Sequence, residues 1–242
     1  VKPILACLLA AVMSLGAVAA SAEDLSEDDV KRLALEAILE NPEIVMQAVE
    51  ILRQRDQQAK ADAVRNVLDQ QRDLLERDPN APVIGNPDGD VTVVEFFDYN
   101  CPYCKRAAPI VKGVIAGDGN VRVVYREWPI LGEGSVFAAR AALAARNQGK
   151  YEEFHWALMD LKGRANEASV MRVARELGMD EAQLRADMQA PEVETHIQIS
   201  MSLAEQLGFS GTPSFVIGDA LAPGLIPEDE LKRLIGVARE AK

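Results

Sequence analysis

Two cysteines frame the tetrapeptide Cys101-Pro102-Tyr103-Cys104, which follows the apolar run 91–97 directly and precedes a stretch patterned as helix. At a strand-to-helix junction the first sulfur falls at the helix N-cap, where unpaired backbone N–H groups and the helix dipole stabilise a thiolate. Thiolate rather than thiol attacks disulfides. The expected chemistry is therefore thiol–disulfide exchange, with Cys101 as the exposed nucleophile and Cys104, one turn deeper, as the resolving thiol. Pro102 suits the first helical position, where its missing N–H has no intrahelical partner to lose. Tyr103 brings no positive charge to the intervening dipeptide. The Cys101 pKa is accordingly expected to be lowered, but less than the roughly 3.5 reached by the strongest oxidising dithiol. Lys105 reads either as a favourable charge beside the pair or as a solvated helix residue.

Glu95 is the one ionisable residue of the apolar run. Burial would raise its pKa and let the carboxyl accept the Cys104 proton during resolution, whereas an edge position would leave it in water. His155, within the aromatic-rich 151–156, and His196 read as packed histidines rather than members of a Cys–His hydrolase. Structural zinc needs four ligands, and neither histidine lies near the pair in sequence. Haem attachment needs a histidine after the second cysteine, where Lys105 stands. Copper(I) suits paired thiolates, so a copper(I)-binding protein with Cys101 and Cys104 as ligands is the non-enzymatic alternative. No organic cofactor is implied.

The third of the chain's three cysteines, Cys7, lies in a segment with Lys2, an apolar core over 4–18 and the small-residue end Ala20-Ser21-Ala22. This is a secretory signal pattern, with cleavage expected after Ala22. Lipid attachment at Cys7 is not expected, because too little of the apolar region precedes it. Past Ala22 only the dithiol pair remains. An exported chain holding two close cysteines and no others points to catalysis rather than to a disulfide scaffold. The net charge of −12 excludes nucleic acid and anionic membrane surfaces as partners.

These residues need elements to position them. Residues 23–80 read as a helical arm: Ser26 starts a helix, Asn41-Pro42 interrupts it, and a second helix runs to about Arg77. Val45, Val49, Leu52, Ala59, Ala63, Val64, Val67, Leu68 and Leu75 keep a helical stripe that weakens across 53–58. Such a helix needs a surface to cover it. Self-association through the arm is the expectation, against packing on its own domain or acting as a solvated spacer. The prolines in 78–82 mark a linker, giving a signal segment at 1–22, the arm at 23–80 and a folded domain at 81–242. Within that domain the pattern predicts a short strand near Val83, a strand at 91–97, a helix over 102–116 and a strand at 121–125. Helices at 137–147, 151–161, 168–177, 181–188 and 192–207 follow, then strands at 214–217 and about 221–226 and a helix from Pro227. The fold class is α/β: a thioredoxin-like sheet with a helical insertion at about 135–207. In that arrangement the loop Thr212-Pro213 abuts the cysteines and offers Thr212 backbone groups to an extended substrate.

The run 96–105, Glu95, the segment 151–156 and Gly211-Thr212-Pro213-Ser214-Phe215-Val216-Ile217-Gly218 together resemble the DsbA-like thiol–disulfide oxidoreductases over about 83–242. The resemblance implies the fold, an exported location, dithiol–disulfide exchange and a cis peptide bond before Pro213, with Thr212, Pro213 and Tyr103 on the substrate side. Pro-Tyr between the cysteines and Thr before the proline depart from the best-known oxidase and look like isomerase or reductase branches. With the arm, the chain is similar to the copper-sensitivity suppressor C group, some members of which are trimeric isomerases joined by that arm. What this implies is a periplasmic enzyme that isomerises or reduces disulfides of exported cysteine-containing proteins, kept reduced by a membrane thiol reductase of the DsbD type and homo-oligomeric, with a trimer as one form. A monomeric dithiol oxidase is the alternative enzyme.

Overall fold

The computed structural model describes residues 26–241, so the signal segment at 1–22 and Cys7 lie outside the described residues. Its elements in chain order are α1 (Glu27–Glu40), α2 (Glu43–Arg77), β1 (Val83–Gly85), β2 (Val91–Phe97), α3 (Pro102–Gly117) and β3 (Val121–Glu127). Then come α4 (Glu133–Ala145), α5 (Tyr151–Met159), α6 (Glu167–Glu176), α7 (Glu181–Asp187) and α8 (Pro191–Gln206). The strands β4 (Ser214–Ile217) and β5 (Ala220–Pro223) and the helix α9 (Glu228–Glu240) complete the series. The sheet order is β1-β3-β2-β4-β5. β2 and β3 are parallel, joined by α3, while β1, β4 and β5 run antiparallel to their neighbours. This is the expected thioredoxin-like sheet, with α4–α8 inserted between its halves. α4 starts ahead of the expected 137 because Gly132, at φ 104, lets the chain turn into the helix there.

Alternation along β2 decides what each sheet face meets. Val91, Val93 and Phe97 join Val121, Val123 and Tyr125 in the core that holds α3, α9 and most of the insertion. Val94 and Phe96 face the other way, toward Leu203, Ala204 and Leu207 at the end of α8 and toward Leu68 and Leu75 of α2. Glu95 shares the phase of Val93 and Phe97, so it points to the α3 side.

Two compact units divide the chain, one ending at Asp56 and the other beginning at Gln57. In the first, the Ser26 hydroxyl caps α1 by accepting from the Asp29 N–H at 3.2 Å, and Asn41 closes the helix onto the Ala37 carbonyl. α1 buries none of its residues, and Leu35, Leu39, Met46 and Leu52 are each more than half exposed.

The second unit corrects the boundary expected at 78–82. Leu68 and Leu75 are almost wholly buried against the sheet, worth about 4 kcal/mol together by apolar burial. Asp78, read as linker, is buried and accepts from Arg126 Nη1 at 2.7 Å, with Arg126 itself fully buried. Asn80 accepts from Arg146 through its backbone carbonyl and, at 2.7 Å, through its side chain. Residues 57–82 thus belong to the folded unit. A helical stripe shows that a face will be covered, not which surface covers it.

Candidate active site

Cys101 is the N-cap of α3, at φ −78 and ψ 119, and Pro102 opens the helix. This N-cap position brings the sulfur near the unpaired N–H groups of the first turn, although no side-chain capping hydrogen bond forms. The Cys101 thiol is thereby held at about 5, first by hydrogen bonding from the Cys104 thiol, then by a side-chain hydrogen bond from Thr212 and the N–H groups of Cys104 and Tyr103, against the opposing effect of burial. It is thus almost fully ionised at neutral pH. Burial pushes the Cys104 thiol strongly upward, helped by Cys101 and by the Glu95 charge. Two chemically identical side chains one turn apart are therefore split into an anionic nucleophile and a protonated partner. Both are free thiols. The expectation of an exposed nucleophile needs correcting: Cys101 is only 4% exposed, because the Thr212 loop packs over it.

That loop supplies the opposite wall. The Thr212–Pro213 peptide is cis. Separately, the Thr212 carbonyl accepts from Cys101 Sγ at 3.2 Å. Thr212 so offers two groups to one sulfur, a carbonyl suited to the thiol and a side chain suited to the thiolate. The Pro213 carbonyl is already used, accepting from the Gly224 N–H at 2.8 Å. Tyr103, on the outward side of α3, is 52% exposed.

Glu95 is 2% exposed, which settles its position as interior. It stands beside Tyr125 and Phe215 in the strand register, on the face that carries the dithiol. Burial, followed by the Cys101 charge, raises its pKa to about 8. A carboxyl poised there exchanges protons readily near neutrality. Lys105 does not serve as a free charge beside the pair. Its ammonium donates to the carbonyls of Leu161 and Gly163, tying α3 to the end of α5.

Sequence reasoning missed the polar cluster that holds the loop before Cys101. Asp98 is buried and accepts from the Asn100 N–H at 2.7 Å, the Ser135 hydroxyl at 2.8 Å and the Leu131 N–H at 3.0 Å. The Asn100 side chain donates to the Ala165 carbonyl at 3.1 Å and accepts from the Ala165 N–H at 2.7 Å. Gly134 lies in the same seam, where a Cβ would collide with the Ala165 carbonyl. The signal was present as Asp98-x-Asn100, an Asx-turn spacing just ahead of a cysteine. A second buried group, Glu127, accepts from the Tyr99 hydroxyl at 3.1 Å and the Tyr151 hydroxyl at 3.3 Å.

Both histidines are packed. His155 sits among Phe97, Tyr99, Tyr125, Tyr151 and Trp156, bonded through Nδ1 to the Tyr99 hydroxyl at 3.1 Å. His196 accepts from the Glu127 N–H at 3.2 Å. Burial drives each to about 3, so both are neutral. Among the described residues no group of three or more His, Cys, Asp or Glu side chains could hold a metal. Copper(I) would have the two thiols alone, and the strongly protonated Cys104 works against a two-thiolate site.

A five-stranded thioredoxin-type sheet, an N-cap thiolate backed by a buried thiol and a cis-proline loop over the sulfur define a thiol–disulfide oxidoreductase. Residues 92–236 match the DSBA-like thioredoxin domain, and the chain belongs to that family. Residues 27–59 match the N-terminal domain of the copper resistance protein ScsC. Among solved structures, the chain is 65% identical to a thioredoxin-like oxidoreductase from Silicibacter pomeroyi, covering 71% of this chain and 99% of that one at a TM-score of 0.70. It is 29% identical to Proteus mirabilis ScsC in a transitional conformation, covering 90% and 99% at a TM-score of 0.68. A periplasmic thioredoxin-like protein from Salmonella enterica serovar Typhimurium is 30% identical over 70% of this chain and 95% of its own, at a TM-score of 0.65. Curated relatives include a Na(+)/H(+) antiporter NhaA of Salinispora arenicola, 32% identical over 143 residues, and the chain spans 22% of its length.

Proposed function

We propose that this chain acts in the periplasm as an isomerase or reductase of wrong disulfides in exported proteins. Cys101 thiolate attacks one sulfur of a client disulfide, the client S–S bond breaks, and the released client thiolate takes up a proton while a mixed disulfide forms at Cys101. Resolution by another client thiol returns Cys101 with no net change in electrons, which is isomerisation. In resolution by Cys104, formation of the mixed disulfide has removed the Cys101 charge that helps keep Glu95 protonated, so its ionised form takes the Cys104 proton. Cys104 attacks the Cys101 sulfur, the Cys101–Cys104 disulfide forms, and the second client thiolate leaves and takes up a proton, so that the client is reduced by two electrons. A membrane thiol reductase of the DsbD type would return those electrons. Thr212 and Pro213 align the client strand, and Tyr103 flanks it.

The observation that carries this reading is the Cys101 sulfur at the N-cap of α3 set 3.2 Å from the Thr212 carbonyl beside a cis Thr212–Pro213 peptide, with its pKa lowered by hydrogen bonding. Each further drop in that pKa makes the disulfide a stronger oxidant, and a dithiol oxidase is favoured by a deeper one. Thr212 and the Pro-Tyr dipeptide support the same branch. The exposed apolar side chains of α1 and the first part of α2 support homo-oligomerisation through that segment, with a trimer as one form.

Alkylating mass tags applied to intact cells read the resting state of the pair directly. The reduced dithiol should dominate, and the purified reduced chain should reactivate scrambled ribonuclease, with Cys101→Ser abolishing it. A pair resting as the disulfide, with no reactivation, would assign the chain to the oxidases instead. Full activity in Cys101→Ser would remove the dithiol from the mechanism altogether.

A further inference from the structure

The dithiol lies in a basic neighbourhood of an acidic chain. Over the segments nearest to it, 98–106, 128–134, 160–166 and 208–214, the bases are Lys105, Arg106, Lys162 and Arg164, and the acids are Glu133, Asp160 and Asp98, the last buried and turned inward onto the Asn100 N–H, the Leu131 N–H and the Ser135 hydroxyl. The whole chain carries −12. Folding brings these segments together: the Lys105 bonds draw 161–163 alongside the first turn of α3, and the Asn100 bonds hold Ala165 against the loop that ends at Cys101. Arg164 closes the group by donating to the Leu131 carbonyl at 2.9 Å.

Arg106 is placed with most purpose. Its guanidinium lies 4.5 Å from the centre of the Tyr103 ring, on the exposed aromatic that sits between the two cysteines. This cation–π contact holds the guanidinium over the ring while Arg106 stays exposed, so its N–H groups are open to a carboxylate. Among the described residues no ion pair engages Arg106, Lys162 or Arg164; Arg164 gives one N–H to the Leu131 carbonyl, and no hydrogen bond ties down Arg106 or Lys162. The charge is therefore available to a partner.

We propose that this rim, centred on Arg106 stacked over Tyr103 and completed by Lys162 and Arg164, selects client segments bearing carboxylates beside the attacked cysteine. The inference rests on the exchange reading above and adds the charge class of the client. Its sign is informative, because the field of a −12 chain alone would favour basic clients. Only a local reversal of charge at the site favours acidic ones.

The test uses three peptides that differ only in Glu, Gln or Lys on both sides of one cysteine, each joined by a disulfide to the same neutral thiopyridine. Release of thiopyridone follows attack of Cys101 on the peptide sulfur, and the rate constants are compared as ratios within each variant. At about 10 mM ionic strength, where the Debye length is about 30 Å, the full chain should react about fivefold to tenfold faster with the Glu peptide than with the Lys peptide. Near 1 M, where that length is about 3 Å, the ratio should fall below about two. Arg106→Gln with Lys162→Gln should remove most of the low-salt preference, and Arg106→Glu alone should invert it. A low-salt ratio near one in the unmodified chain, or one retained by both variants, overturns the proposal. A chain inert toward all three peptides overturns the exchange reading itself, and this inference with it.

Discussion

The two parts of α2 use the same kind of amphipathic stripe to opposite ends. Before Asp56 the helix leaves Ile44, Val45, Met46 and Leu52 exposed, whereas after Gln57 it drives Leu68 and Leu75 into the core beneath β2 and β3. The break falls where the sequence stripe fades, in the polar run 53–58. Periodicity therefore reports a demand for cover. What meets the demand is decided elsewhere, in one case by a sheet face that the end of α8 covers only in part, in the other by a partner we propose to be a second copy of the chain.

Truncation gives the largest contrast. A chain starting at 57 should fold, exchange disulfides and show a smaller solution mass by light scattering than subunit length alone predicts. One starting at 78 should unfold at much lower denaturant, seen as early loss of near-ultraviolet circular dichroism, since the sheet face at Phe96 then keeps only the cover of α8, Trp128 and Phe209. Equal behaviour of the two would erase the distinction between the halves. Point changes repeat the contrast on a smaller scale. Leu75→Ala should lower the stability of the second unit by about 3 kcal/mol in denaturant melts. Leu52→Ala should leave that stability within about 0.5 kcal/mol and weaken self-association instead. A large melt shift from Leu52 would place it in the wrong class.

Across the sheet, burial acts on protons rather than on packing. Glu95 has its pKa raised to about 8 from 4.5, so in the folded chain it keeps a proton that the unfolded chain has lost. Its contribution to stability is fully present below the unfolded value and is lost as pH rises toward 8. Replacing it by Gln removes that loss. The stability of Glu95→Gln relative to the reduced parent should therefore climb by about 1.4 kcal/mol per pH unit between 4.5 and 8, and a flat difference would mean an ordinary carboxylate. The same variant should slow resolution by Cys104 about tenfold or more in single-turnover experiments. The smallest effect is expected from Thr212→Val. Loss of the side-chain hydrogen bond should raise the Cys101 pKa by about one unit, read from the pH dependence of alkylation.

Much of this was legible in the sequence because local rules and the fold agree. β4 falls at 214–217, as predicted after Gly211-Thr212-Pro213, α3 begins at the proline after Cys101, and Ser26 caps α1. The N-cap position of Cys101 followed from its junction alone. Three features were not legible, each for a physical reason. The exposure of Cys101 depends on Thr212, 111 residues away in sequence. The domain edge depends on which face Leu68 and Leu75 cover. Lys105 read as a neighbouring charge or a solvated helix residue because helical spacing says nothing about the carbonyls of Leu161 and Gly163 that it meets.

Gly134 carries one more consequence. With the Ala165 carbonyl standing where its side chain would be, two bare backbones fix the gap between the insertion and the loop that bears Asn100. The helical insertion thus works as a caliper on the catalytic loop, its jaw width set by the absence of a single methyl group. Even alanine there is a wedge between the insertion and the loop that bears Asn100.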